Sequence, residues 1–290
     1  MKFIFTADIH IRPDRPKARL DENWFQTQKL QLEFISGIVS GRRCPLVICG
    51  DIFHKPVVPE IYKNLFVDIF RDQTLYVIPG QHEIPEHLWK NIDESSFGVM
   101  MRHSNFKLVD SLGRYEIYGD KNLQGADTGL YFFHKLIFPD EKSLPPTDKA
   151  MTASQLLKEY PNAKWIFCGD QHHGFHYEER GRHVVMAGCM NRQKSDMIDY
   201  DPKIWFIDTE KEIVESILIP DDRNMVTDSH IKEKKEREGR LSAFIETVKG
   251  SSRGMSLDFR DNVEKAIELN TLELTDEQIK IIEELMKEEV

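Results

Sequence analysis

Five short apolar runs of this chain end in side chains that bind metals or carry protons. Asp8 and His10 close "KFIFTADIH", and Asp51 and His54 close "PLVICGDIFH". Gln81 and His82 follow "LYVIPG", His134 ends "GLYFFH", and Asp170, His172 and His173 follow "KWIFCG". Carboxylate and amide oxygens mixed with imidazole nitrogens, without a thiolate, suit Mn²⁺, Fe or Zn²⁺ better than copper or an iron–sulfur cluster. So many donors exceed what one ion takes. They fit two ions about 3.5–4 Å apart with one carboxylate between them, the usual arrangement of a dinuclear hydrolytic centre.

Such side chains meet only if the fold brings the five run ends together. Each run is short, rich in β-branched or aromatic residues, and closed by Gly, Pro or a polar cluster, which predicts strands. Residues 24–39 place Trp24, Phe25, Leu32, Phe34, Ile35 and Ile38 on one helical face, and residues 60–71 and 86–101 are also predicted helical. Strands alternating with helices imply a largely parallel sheet covered on both faces. In such sheets ligands bind outside the carboxyl ends of the strands, where all five motifs would lie. From residue 183, "HVVMAG" and "KIWFIDTEKEIVESILIP" are expected to form antiparallel strands that turn at Thr209 to Lys211 and complete a second sheet.

With 290 residues, 40% of them hydrophobic, the chain can bury one large core and carry a smaller appendage. Cys44, Cys49, Cys168 and Cys189 form no C-x-x-C pair, which suits reduced core thiols of an intracellular protein. The charged start and the lack of any apolar window near ~18 residues predict a soluble, cytoplasmic chain with no membrane partner. A net charge of -10 argues against a general nucleic-acid-coating protein, because phosphate affinity comes from clustered Lys and Arg. Residues 221–290 hold 18 acidic and 12 basic side chains, net -6, which leaves -4 for residues 1–220. The part that bears the five motifs is therefore nearly balanced.

The order D-x-H, G-D, G-x-H-E, a lone His, then G-x-x-H resembles the calcineurin-like metallophosphoesterase superfamily. Within it, "TADIHI" and "GDIFHKPVVP" resemble the SbcD-type nucleases of DNA double-strand-break repair. The resemblance implies an α/β fold, a four-layered metallophosphoesterase sandwich of two mixed β-sheets flanked by helices, here with a C-terminal helical extension. It implies that Asp8, His10 and His172 hold one metal, that Asp51 bridges, and that Gln81, His134 and Asp170 hold the second. Mn²⁺ is the expected ion, with Mg²⁺, Fe or Zn²⁺ as alternatives. His82 stands where the family keeps the histidine that protonates the leaving oxygen, and His54 where the nuclease subgroup faces the substrate phosphate. A shifted register would make His173 the ligand in place of His172. The family usually has Asn at Gln81 and His at Asp170. A longer amide and an extra anionic oxygen imply a second site that favours a harder ion such as Mn²⁺ or Mg²⁺; two equally tight Zn²⁺ ions in a metal titration would contradict this.

After the first motif, Arg12, Arg15, Lys17 and Arg19 lie on a Pro-containing loop. They could follow a nucleic-acid backbone, or they could pair with Asp14, Asp21 and Glu22. Apolar residues of the segments 60–71 and 86–101 exceed what one sheet contact needs, and in the SbcD-type nucleases the corresponding helices pair two subunits, so a homodimer is implied. Residues 221–255 form a charged linker or helical segment in which "IKEKKER" reads as a solvated face or a DNA contact. In residues 256–290, Phe259, Val263, Ala266 and Ile267 follow helical spacing. Thr275 and Gln278 fit a capping box, and Leu274 with Ile279 a hydrophobic staple. This helix-loop-helix matches in length the segment with which relatives dock on an SbcC-type, SMC-like ATPase.

Residues 1–220 thus form the nuclease domain. The function implied is a dinuclear-metal DNA nuclease, exonucleolytic on duplex ends and endonucleolytic on single strands, working in repair and recombination in a cytoplasmic, nucleoid-associated setting. Two alternatives stand: a phosphodiesterase or phosphomonoesterase for small substrates, and a catalytically weakened scaffold that tethers DNA or a partner.

Overall fold

The computed structural model describes residues 1–117, 122–146, 150–229 and 274–287, with residues 235, 237–243, 245, 263 and 267 between the last two spans. The chain divides into two compact units, Met1–Thr227 and Asp228–Val290.

The first unit holds β1 (Lys2–Thr6), β2 (Leu46–Cys49), β3 (Leu75–Ile78), β4 (Phe106–Leu108), β5 (Arg114–Tyr115), β6 (Gln124–Gly125) and β7 (Leu130–His134). It continues with β8 (Ile137–Phe138), β9 (Met151–Thr152), β10 (Trp165–Gly169), β11 (Phe175–Glu179), β12 (Arg182–Met186), β13 (Lys203–Asp208) and β14 (Ile213–Leu218). One six-stranded sheet runs β14-β13-β1-β2-β3-β4 and the other β11-β12-β10-β7-β5-β6. All five predicted strands are present as β1, β2, β3, β7 and β10. The first three are mutually parallel, with Phe5 beside Val47 and Val47 beside Tyr76. β7 and β10 are parallel too, with Gly169 beside His134. Parallel neighbours finish on one edge, which gathers the motif residues.

The two sheets close on each other through Phe3, Phe5, Val47 and Ile78 from one side and Phe132, Trp165, Phe167 and Val185 from the other. Phe167 meets the rings of Phe3 and Phe5 edge-on, with centroids 5.1 and 5.2 Å away. Strands buried on both faces are apolar at every position, as "LYFF" in β7 is. Outside the first sheet pack α1 (Trp24–Arg42) through Leu32, Ile35 and Val39, and α2 (Glu60–Ile69) through Tyr62 and Phe66. Asn23 caps α1 by accepting from the Gln26 amide, and Arg43 in a left-handed conformation ends it. Outside the second sheet lies α4 (Ala153–Glu159), begun by a Thr152–Gln155 capping box, with Leu156 and Leu157 buried. The result is the expected architecture of two mixed sheets flanked by helices.

Two elements differ from the sequence reading. Residues 86–101 do not form one helix. They make two 3₁₀ segments, Pro85–His87 and Trp89–Glu94, and then α3 (Ser96–Met100), because Glu86 and His87 adopt positive φ and Ser95 caps afresh onto the Gly98 amide. The β13–β14 hairpin turns after Asp208 as expected, but it joins the first sheet. β13 pairs antiparallel with β1, Trp205 beside Phe5, while the second sheet is completed by β11 and β12.

A buried ion network ties residues after β14 back onto this unit. Arg19 grips Asp21 through two bonds of 2.7 and 2.9 Å and donates to Asp221 Oδ1 at 2.8 Å. Arg192 reaches Asp221 Oδ2 at 3.0 Å. The side chains of Arg19, Arg192 and Asp221 are 1–2% exposed. Two cations share one carboxylate away from water, so its removal strands both. Asp221→Ala is expected to lower stability by about 3–5 kcal/mol, the range for breaking a buried pair, read as a shift in the urea midpoint. A change below about 1 kcal/mol, the worth of an exposed pair, would show that the network is open to solvent.

In the second unit, helix Asp276–Lys287 begins at the predicted capping box: the Thr275 amide donates to Gln278 Oε1 at 2.9 Å and the Gln278 amide to Thr275 Oγ1 at 3.4 Å. Leu274 and Ile279 are half-buried and Ile282 is buried. Phe259, Ala266 and most of "IKEKKER" lie outside the described residues. Among the described residues no helix is long and apolar enough to cross a membrane.

Candidate metal centre

The loops that leave the parallel strands are tight enough to force unusual backbone. Asp8, His10, Asp51 and Asp170 have φ of 50, 51, 55 and 90°, a region that costs roughly 1–3 kcal/mol per residue and persists only where neighbours fix it. They are fixed here. The Asp8 amide donates to Gly50 O at 3.0 Å, the His10 amide to Asp51 O at 2.9 Å, and the Asp170 amide to Asp8 Oδ2 at 2.9 Å. Gly50 is required by crowding, since a Cβ there would lie 2.2 Å from His134 Nδ1.

These loops bring the predicted residues together. His10 Nε2 and His172 Nε2 are 3.3 Å apart, and they lie 3.8 and 3.9 Å from Asp8 Oδ1. Asp51 Oδ2 stands 3.3 Å from His134 Nε2, 3.7 Å from His10 Nε2 and 3.8 Å from His82 Nε2. Three groups each offer ligand atoms within 4.8 Å of one another: Asp8 with His10 and His172, Asp8 with Asp51 and His134, and His10 with His54 and His82. His134 Nδ1 is 2.7 Å from Cys49 O and donates there, which leaves Nε2 as the nitrogen a metal would take. Burial opposes the ring's charge, but the Asp51 carboxylate beside Nε2 holds the His134 pKa well above its usual value. Gln81 sits differently. Its amide nitrogen donates to Asp170 Oδ1 at 2.8 Å, while its Oε1 has no partner. His172, not His173, enters the cluster; His173 is exposed and meets the Tyr200 ring.

Burial and crowding set the charges. Burial lifts the Asp8 carboxyl well above its usual range. Asp51 is also buried, but the neighbouring His134, His10 and His82 rings hold its carboxyl far below that range. Burial holds His10 down, and it brings His172 to about 4 with the Lys194 ammonium adding to the effect. His54 also falls to about 4, through burial and then the Arg12 guanidinium. Low imidazole pKa keeps these nitrogens neutral and available. Buried Asp8 Oδ1, Gln81 Oε1 and His134 Nε2 lack hydrogen-bond partners, and a divalent cation is the one species that would satisfy carboxylate, amide and imidazole acceptors at once. The residues therefore fit a metal centre.

The loop after His10 carries less free charge than its composition implies. Arg19 is corrected from a substrate contact to a buried structural ion, and Arg12 pairs with Asp14. Arg15 is exposed and donates to Asp21 O at 2.8 Å, and Lys17 is exposed. Glu83 is expected from the sequence to orient His82 or a loop amide without binding metal, and it does hold loop amides. Glu83 accepts from the amides of Asp51, Gly80 and Phe53 at 2.9, 2.8 and 2.7 Å. Lys194 lines a cleft of about 300 Å³ with Asp51, Gln81, His82, Asp170 and His172. Lys194 escaped the sequence reading, because its place in the cleft depends on residues distant along the chain.

The calcineurin-like phosphoesterase family matches the chain over residues 1–174. Among solved structures, an archaeal phosphodiesterase is 13% identical with a TM-score of 0.40, the match covering 75% of this chain and 99% of that one. Among curated proteins none matches.

Proposed function

The chain belongs to the calcineurin-like phosphoesterase family, and from that premise we propose that it is a phosphodiester hydrolase of the SbcD type, cutting DNA at ends and on single strands. The observation that carries this is the rim of the centre. His82 and His54 stack there with centroids 5.0 Å apart, and both face the side where Asp51 is shared among three imidazoles. Asp8, His10 and His172 would hold one divalent ion and Asp51, Gln81, His134 and Asp170 a second, Mn²⁺ being the ion that suits this oxygen-rich set. Ions bound there would offset phosphate charge and lower the pKa of an attacking water to about 7.

The protein's own part is to hold a proton opposite that water. His82 Nδ1 donates to His54 O at 2.7 Å, which fixes the ring with Nε2 toward the cleft. From there it can protonate a leaving 3′ oxygen. His54, backed by Arg12, presents its ring beside the same position. An SbcC-type ATPase would be met by the C-terminal helices. A second copy would be met by the 60–71 and 86–101 segments, where Ile61 and Leu88 are 58% and 44% exposed, with Val57 beside them in sequence at 65%.

A small-substrate phosphodiesterase is the second reading, favoured by the pairing of Arg12 and Arg19 with carboxylates. One comparison separates the two: linear duplex DNA against a diaryl phosphodiester, each with Mn²⁺. The nuclease reading expects DNA to be degraded from its ends at comparable enzyme concentration. Hydrolysis of the aryl ester alone would move the assignment to small substrates.

A further inference from the structure

The inference drawn here rests on the phosphodiester reading and concerns how a chain of phosphates is held. Of the carboxylates that line the cleft over the centre, Asp51 and Asp170 are assigned to the metal site, which leaves Asp196 as the free anion and Lys194 as the one lysine or arginine. Ions at the centre would serve the phosphate they contact, whereas a second phosphate in the cleft meets the Asp196 carboxylate, which repels it at close range, and a nearby side-chain cation offsets that repulsion. Lys194 is exposed and, among the described residues, no carboxylate lies within ion-pair distance of it. It precedes the 3₁₀ turn Ser195–Met197 in extended backbone, and its side chain makes no capping bond there. Its position is fixed from below, because Met197 is buried with Cys189 and Tyr200, and the neighbouring Arg192 is clamped by Asp221 and the Tyr200 carbonyl. An exposed side chain on an anchored loop can adapt to a ligand without loss of register.

We propose that Lys194 is a substrate-positioning residue that holds the phosphate flanking the scissile one, so that the cleft selects substrates with at least two phosphates along a strand. The scissile phosphate belongs to the centre and to His82 and His54. Lys194 lines the same cleft as His172, His173 and Gln171, and its ammonium acts on the His172 ring. With the scissile phosphate served by the centre, His82 and His54, the remaining cation of the cleft is free for the neighbouring phosphate. The exposed ring of His173, set edge-on to Tyr200 at 5.2 Å, offers a surface for the base between the two phosphates.

The test uses the Mn²⁺-loaded full chain with Lys194→Ala and Lys194→Arg. Anisotropy of a labelled single-stranded oligonucleotide should show about tenfold weaker binding for Lys194→Ala, with the slope of log K against log salt shallower by about 0.7, one phosphate contact on a single strand. Lys194→Arg should keep most of the affinity. In turnover, kcat/KM of Lys194→Ala should fall about tenfold on the oligonucleotide relative to a diaryl phosphodiester, through KM and not kcat. Equal losses on both substrates would place Lys194 on the scissile phosphate, and an unchanged salt slope would remove it from phosphate binding; either overturns the proposal. Failure of the wild type to hydrolyse any phosphodiester would sink the functional reading instead, and the binding arm would still decide the role of Lys194.

Discussion

His82→Ala is expected to slow hydrolysis of a DNA phosphodiester by about 10²–10⁴-fold, the usual loss when a positioned general acid is removed. The proposed function makes His82 the imidazole that delivers the proton. His10 and His134 are buried, His172 is 20% exposed, and all three direct a ring nitrogen at Asp8 or Asp51. His82 is 36% exposed, and its Nδ1 is committed to the His54 carbonyl. Its Nε2 also lies 3.8 Å from Asp51 Oδ2, but on this more exposed ring it is the nitrogen that can reach a substrate oxygen. The chemistry supplies a sharper control than loss of activity. A 3′ alkoxide is a poor leaving group and needs the proton, whereas a nitrophenolate leaves without one. The same variant should therefore lose far less on a diaryl phosphodiester than on DNA, with metal content measured in parallel. Equal losses on both substrates would show that His82 shapes the site without acting as an acid.

The parts of this site legible in the sequence are those whose chemistry and spacing are local. An apolar run that ends in Asp, His or Gln announces both a strand and a proposed ligand, and β1, β2, β3, β7 and β10 each carried that signal, with Gly before the polar residue in β2, β3 and β10. What stayed hidden depends on partners far away in the chain. Arg19 and Lys17 look alike as letters. Arg19 is buried because Asp221, 202 residues later, reaches it. Periodicity identified β13 and β14 as strands, yet nothing local says that β13 will pair with β1 and leave the second sheet to β12. Residues 86–101 have a helix-like apolar spacing, but backbone at Glu86 and His87 leaves the helical region, and a spacing pattern does not register that. Gln81 and Asp170 were legible as donors at strand ends. Their bond to each other, across 89 positions, was not.

Glu83→Ala is expected to cost more than the loss of any single pair on the surface, because three amides lose their acceptor together. Glu83 is fully buried and takes hydrogen bonds from Asp51 and Phe53 in the loop after β2 and from Gly80 in the turn after β3. Burial and the nearby Asp51 carboxylate push its carboxyl up to about 8, against those three donors, which favour the anion. Each buried donor left alone costs roughly 1–3 kcal/mol, so the three set a loss of roughly 3–9 kcal/mol, comparable with the ~5–15 kcal/mol stability of a whole domain. A denaturant titration reads it, and a shift below about 1 kcal/mol would mean that water replaces the carboxylate. Glu83→Gln is the gentler variant. It keeps one acceptor oxygen but turns an amide N–H₂ toward backbone N–H, so the chain should fold with the two loops loosened. Those loops carry Asp51, Gln81 and His82, and they fit so closely that a Cβ on Gly80 would lie 2.1 Å from Asp51 Oδ1. Activity should therefore fall in Glu83→Gln although no proposed ligand or proton donor has been touched. The stretch "PGQHE" then carries the proposed donor for the centre, the proposed acid above it, and the carboxyl group that binds the two loops into one frame.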